Sequence, residues 1–143
     1  MKLREIMTGP VIRICPEETV SVAARTLEHY NIGALPVCSP EGKLLGMVTD
    51  RDLVTRCMAA GKPVASTKVR EVMTSQVLSV RPDMDADLAA ALMGREQIRR
   101  LPVVEDGKLC GMVSLGDLAV REATVYDAGD ALMEISSGIS SRK

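Results

Sequence analysis

The chain has 143 residues, with 18 lysines and arginines against 19 aspartates and glutamates and a formal net charge of -1, a balance that argues against a protein built to grip nucleic acid or an anionic membrane. Two tyrosines stand without any phenylalanine or tryptophan, so the ring platforms on which single-stranded nucleic acids stack are almost missing. No apolar run approaches the roughly 20 residues of a membrane-spanning helix. The N-terminus carries charge without the apolar stretch of a secretory signal.

Read in order, the chain opens with REIMTGP and then VIRI at 11–14, a short expected strand stopped by Pro16. Residues 18–30, ETVSVAARTLEHY, space Val20, Ala23, Ala24 and Leu27 as one face of a helix. LPVC at 35–38 reads as a strand, SPEGK as a turn and LLGMV at 44–48 as a second, buried strand. A helix then opens at Asp50. The stretch MAAGKPVASTKV, rich in turn residues, reads as a linker. The same series then recurs: REVMTS, a strand VLSV at 77–80 stopped by Pro82, and a helix MDADLAAALMGRE with Leu88, Ala91, Leu92 and the neighbouring alanines on its face. Strands LPVV and LCGMV follow, with a helix opening at Leu115. Beyond Arg121, EATVYDAGDALMEISSGIS suggests a broken helix whose last turns Asp127 could cap, followed by a loose SSGISSRK end.

The chain is therefore two copies of a strand–helix–strand–strand–helix unit. They are offset by 66 residues as far as LPV and by 65 after the turn SPEGK shortens to EDGK, a deletion placed where length changes cost least. The expected layout is repeat 1 at 1–60, a linker at 61–67, repeat 2 at 68–122 and a C-terminal helix and tail at 123–143. One copy has too few apolar residues to stand alone, and the two are expected to bury their faces together. Cys15, Cys38, Cys57 and Cys110 form no C-x-x-C pair, and His29 is the only histidine, so metal binding has little support. Cys38 and Cys110, in apolar runs, read as buried free thiols of a reducing cytoplasm.

The repeated corner carries the chemistry. GMVTDRDL at 46–53 and GMVSLGDL at 111–118 each place a hydroxyl three residues before an aspartate. Structurally this is close to a capping box, with Asp in place of Glu. The same geometry can serve a ligand: a hydroxyl and free N–H groups at a helix start hold an anion, and an acid one turn on accepts hydrogen bonds from a ribose diol. The two readings are compatible.

With IMT and VMT opening each copy, ALPV and RLPV in the middle and G-h-h-[ST]-x-x-D at the end (h apolar), residues 3–121 resemble a tandem of cystathionine-β-synthase (CBS) domains, a Bateman module of the free-standing bacterial kind. The resemblance implies an α/β (α+β) fold: two β-α-β-β-α repeats packed sheet to sheet about a pseudo-twofold axis, commonly assembled as a homodimer. It implies a non-catalytic sensor that needs no cofactor. Its regulatory ligand would be an adenosine compound, AMP, ADP, ATP or S-adenosylmethionine, held in a cleft between repeats and signalled to an unidentified protein effector. Carried over crosswise, the first cleft takes Thr49, Arg51 and Asp52 with Thr74, Val77, Arg99 and Arg100. The second takes Ser114 and Asp117 with Thr8, Val11, Gly33 and Ala34. Asp52 and Asp117 would hold ribose hydroxyls, and the groups around Val77 and Leu101, or Val11 and Leu35, the adenine.

The copies differ where phosphate would sit. Arg99 and Arg100 replace Gly33 and Ala34, and Arg51 replaces Gly116, so the crosswise rule gathers three arginines at the first cleft. An arginine fork suits phosphate oxygens, and a charge-assisted hydrogen bond is worth roughly 1.5–3 kcal/mol. Two such differences amount to about a hundredfold or more in affinity. An enzyme is not expected, since no Ser–His–Asp or Cys–His set and no P-loop is present. The competing expectation is a ligand-free dimerisation module with vestigial clefts.

Overall fold

The computed structural model describes residues 1–9 and 11–141, with side chains as far as 137. The chain divides into two compact units, one of residues 12–77 and one of residues 1–11 with 78–143. These units do not follow the sequence repeats. Each repeat contributes its opening segment to the unit built mainly by the other.

In the 12–77 unit, helix α1 (Val20–Tyr30) is capped by Thr19, whose side chain accepts from the Val22 amide at 3.3 Å, and it ends at Asn31 with a left-handed backbone. Strands β1 (Ala34–Cys38) and β2 (Leu44–Thr49) pair antiparallel. Helix α2 (Asp50–Asp52) runs directly into wide π-type turns over Leu53–Met58. Val20, Ala23 and Leu27 meet Leu35, Val37, Val48 and Cys57 in the core, joined by Val69 and Val72 from the start of repeat 2. The expected linker is tied down at both its proline and its threonine side: Ser21 and Val20 donate to the Val64 and Thr67 carbonyls at 3.0 and 2.8 Å.

The second unit repeats this plan with helix α3 (Ala86–Glu96), strands β3 (Arg100–Glu105) and β4 (Lys108–Ser114), and helix α4 (Leu115–Ala119). Its hairpin turns through Asp106 and Gly107, both at positive φ, the backbone that an Asp-Gly pair favours. The borrowed residues here are Leu3 and Ile6, which join Leu101, Val103, Val113 and Leu118 in the core. A further helix, α5 (Val125–Ser141), buries Ala128, Ala131 and Ile135 against this cluster.

Five expectations are corrected. The opening strands at 11–14 and 77–80 are reduced to single parallel bridges, Ile14 to Val37 and Val80 to Val103, because the neighbouring prolines leave no room for a longer ladder. On α3 the buried face is Ala86, Ala89, Ala90, Met93 and Gly94, while Leu88 is 58% exposed and Ala91 is exposed. Small residues face inward there because α5 packs closely, with the Ala131 backbone 3.1 Å from where a Gly94 Cβ would be. Ala24 of α1 is likewise exposed. Finally, α5 is one continuous helix, with Asp127 in its first turn and not capping its last ones. The expected loose end is helical to Ser141, and Arg142 and Lys143 lie outside the described residues.

Candidate functional site

The two corners are built alike. In the 12–77 unit the Thr49 hydroxyl accepts from the Asp52 amide at 3.1 Å, and Asp52 Oδ2 accepts from the Thr49 amide at 2.9 Å. In the other unit Ser114 and Asp117 exchange the same bonds at 3.1 and 2.8 Å. Both capping boxes are therefore formed. Each aspartate is half-buried and keeps acceptor capacity on its second oxygen, since a carboxylate offers about four lone-pair directions.

Beside each corner runs the borrowed opening segment. Thr74 exchanges two backbone hydrogen bonds with Met47 of β2, both 2.9 Å, and Thr8 exchanges two with Met112 of β4, at 2.8 and 3.1 Å. The glycines preceding those methionines make this possible. A Cβ on Gly46 would lie 2.5 Å from the Thr74 carbonyl oxygen, and one on Gly111 would lie 2.6 Å from Met7 Sδ. Thus Thr49 and Asp52 share a unit with Thr74 and Val77, and Ser114 and Asp117 share one with Thr8 and Val11. Thr74, Thr8 and Arg51 are exposed, and Val77 and Val11 half-buried.

The flanking positions belong to the same units as their own corners. Ala34 pairs with Thr49 and Arg100 with Ser114 in the two hairpins. Gly33 and Arg99 each accept, through their carbonyls, the amide that opens the following helix, Asp50 at 3.0 Å and Leu115 at 2.7 Å. Arg99 and Arg100 line a cavity of about 470 Å³ with Ser114, Gly116 and, from α5, Gly129 and Leu132.

One contributor was not among the candidate residues. Arg56 reaches back to Asp52 Oδ1 at 3.7 Å and donates to the Val72 and Met73 carbonyls at 3.3 and 3.2 Å and to Thr74 Oγ1 at 3.4 Å. It ties the corner to the borrowed segment. The signal was its i,i+4 spacing from Asp52. Arg121, its counterpart in the repeat, lies beyond the end of α4, and among the described residues Asp117 has no ion pair. The helix that continues through Arg56 stops short in the second copy, so the two corners differ in charge as well as in flanking arginines.

His29 is exposed and sits edge-on to Tyr30 at 4.7 Å. Among the described residues no group of three or more His, Cys, Asp and Glu is placed to hold a metal ion, and no helix is long and apolar enough to cross a membrane.

Two bridged copies of a hydroxyl–aspartate corner, each with an exchanged Met-Thr segment beside it, agree with what comparison of the chain finds: the CBS domain family model matches residues 3–59 and again 69–134. The chain belongs to the CBS domain family. This CBS pair is 42% identical over 134 residues to the CBS domain-containing protein YhcV of Bacillus subtilis, covering 94% of each chain. It is 33% identical to hypoxic response protein 1 of Mycobacterium tuberculosis, with 81% of each covered. Among solved structures it resembles the CBS domain pair of protein MJ0100 in complex with 5-methylthioadenosine and S-adenosyl-L-methionine, at 28% identity and a TM-score of 0.74, over 83% of this chain and 93% of that one. The family match accounts for nearly the whole chain as CBS repeats.

Proposed function

We propose that this CBS pair is a non-catalytic sensor that binds one phosphate-bearing adenosine ligand per chain at the Thr49–Asp52 corner and signals its presence to a partner protein. The observation that carries the reading is the corner itself: a helix-start hydroxyl and a half-buried aspartate with acceptor capacity to spare, beside the exposed Thr74. The adenosine compounds bound by the MJ0100 CBS pair support the ligand class. Asp52 would take the ribose hydroxyls, with Arg51, Arg99 and Arg100 directed at phosphate by the crosswise rule of the family. Binding then acts on the partner only through a difference in ligand affinity between two states of the protein.

A second assignment of the arginines is favoured by the cavity they share with Ser114: Arg99 and Arg100 serve the Ser114–Asp117 corner of their own unit. Titration of AMP and ATP into Arg99→Ala and Arg100→Ala, each in Asp52→Ala and Asp117→Ala backgrounds, separates the two. If the arginines serve the Asp52 ligand, each substitution weakens binding about tenfold to a hundredfold in the Asp117→Ala background. Unchanged affinity there removes them from that ligand. Loss of binding confined to the Asp52→Ala background assigns them to Ser114.

A further inference from the structure

The bridge between Ile14 and Val37 brings two cysteines side by side. The Ile14 amide donates to the Pro36 carbonyl at 3.0 Å, and the Ile14 carbonyl accepts from the Cys38 amide at 2.9 Å. Cys15 and Cys38 are the next residues along the two parallel chains. Laterally adjacent residues in neighbouring extended chains lie about 4.8 Å apart, inside the roughly 4.4–6.8 Å range of Cα separations that a disulfide spans. Side chains alternate along such chains. Ile14 and Val37 are buried in the core, so Cys15 and Cys38 share the opposite side, and Arg13 lies on it as well. Both Arg13 and Cys15 are near enough to bear on the charge of Cys38, whose thiol is pushed up by burial while Arg13 opposes the rise. Both sulfurs are free thiols, Cys15 exposed and Cys38 buried.

The sister unit supplies an internal control. Val80 bridges Val103 with the same two hydrogen bonds, at 3.0 and 2.8 Å, and the next residues there are Arg81 and Val104. The backbone geometry therefore does not call for cysteine, and the thiol pair is particular to one unit. It sits just after residue 11, where the chain passes from one unit into the other.

We propose that Cys15 and Cys38 form a reversible disulfide when the protein meets a low-molecular-weight disulfide. The exposed Cys15 thiolate attacks one sulfur of the reagent, forming a mixed disulfide and releasing one small thiolate. Cys38, deprotonated in turn, attacks Cys15 Sγ and displaces the second. Two protein thiols lose two electrons and two protons, and one small disulfide is reduced to two thiols. The product fastens the 12–15 segment covalently to the end of β1.

The test treats the native, reduced chain with glutathione disulfide, alkylates the remaining thiols in denaturant and maps the peptides by mass. The expected result is one linked pair, Cys15 with Cys38, with Cys57 and Cys110 alkylated, and dithiothreitol then frees only Cys15 and Cys38. Cys38→Val, which installs the residue of the sister position, is expected to fold and to stop at a glutathione adduct on Cys15. The proposal is overturned by a lasting Cys15 adduct in the wild-type chain, by Cys15 linked to any sulfur other than Cys38, or by a Cys15 that does not react. None of these outcomes depends on nucleotide binding.

Discussion

Gly46 and Gly116 show how differently one residue type can be used. At Gly46 an added Cβ would meet the Thr74 carbonyl oxygen at 2.5 Å, a backbone atom that cannot swing away, whereas at Gly116 it would meet only Ser114 Oγ at 3.6 Å. Gly46→Ala is therefore expected to lower stability by about 1–3 kcal/mol, as overpacking does. Gly116→Ala, in the first turn of α4, is expected to be neutral or to gain up to about 1 kcal/mol from helix propensity. Urea denaturation of both variants checks this, and equal losses would contradict it. The hydroxyls are legible at the same scale: Thr49 and Ser114 were readable as caps, and they cap. Arg56 was harder to read, because the carbonyls it holds lie sixteen and seventeen residues away and no local pattern announces them.

Among the elements, those with a strong period of their own were readable from sequence. Helix α1, the two hairpins and both helix starts lie where apolar spacing and turn residues put them. The misread elements depend on partners. A one-residue bridge such as Ile14 to Val37 is decided by the chain beside it, and the inward face of α3 is decided by α5. The packing of α5 gives a sharp expectation: Ile135→Ala, at a residue 2% exposed, should cost about 2–5 kcal/mol, while Leu132→Ala, 44% exposed, should cost far less. Thermal or chemical unfolding distinguishes them. The docked opening segment can be followed by pH. The hydrogen bond and charge of Lys2, 3.0 Å away, hold the Asp85 carboxyl below the usual carboxylate range. A depressed folded value stabilises above the ordinary aspartate pKa of about 3.9, and that contribution is lost as pH falls through the folded value. In Lys2→Met the Asp85 carboxyl should titrate closer to its ordinary value by NMR. An unchanged titration would mean that the pair does not hold the segment.

For the molecule as a whole, the sequence repeat was evident but its physical use was not. Each core is completed by exchange: Leu3 and Ile6 finish one, Val69 and Val72 the other. Periodicity within a repeat cannot reveal this, because the exchanged segments are nearly identical in sequence. The same exchange brings Thr74 beside β2 and the Thr49–Asp52 corner, and Thr8 beside β4 and the Ser114–Asp117 corner. The first of these corners is the one proposed to hold an adenosine ligand. Calorimetric titration of AMP, ATP and S-adenosylmethionine into the wild-type chain, Asp52→Ala and Asp117→Ala tests it most directly. The expected result is one site per chain with a dissociation constant on the order of micromolar for at least one of the three, weakened about a hundredfold in Asp52→Ala and retained in Asp117→Ala. Binding that survives Asp52→Ala unchanged would contradict it, and no binding of any of the three would contradict it and leave the CBS pair as an association module.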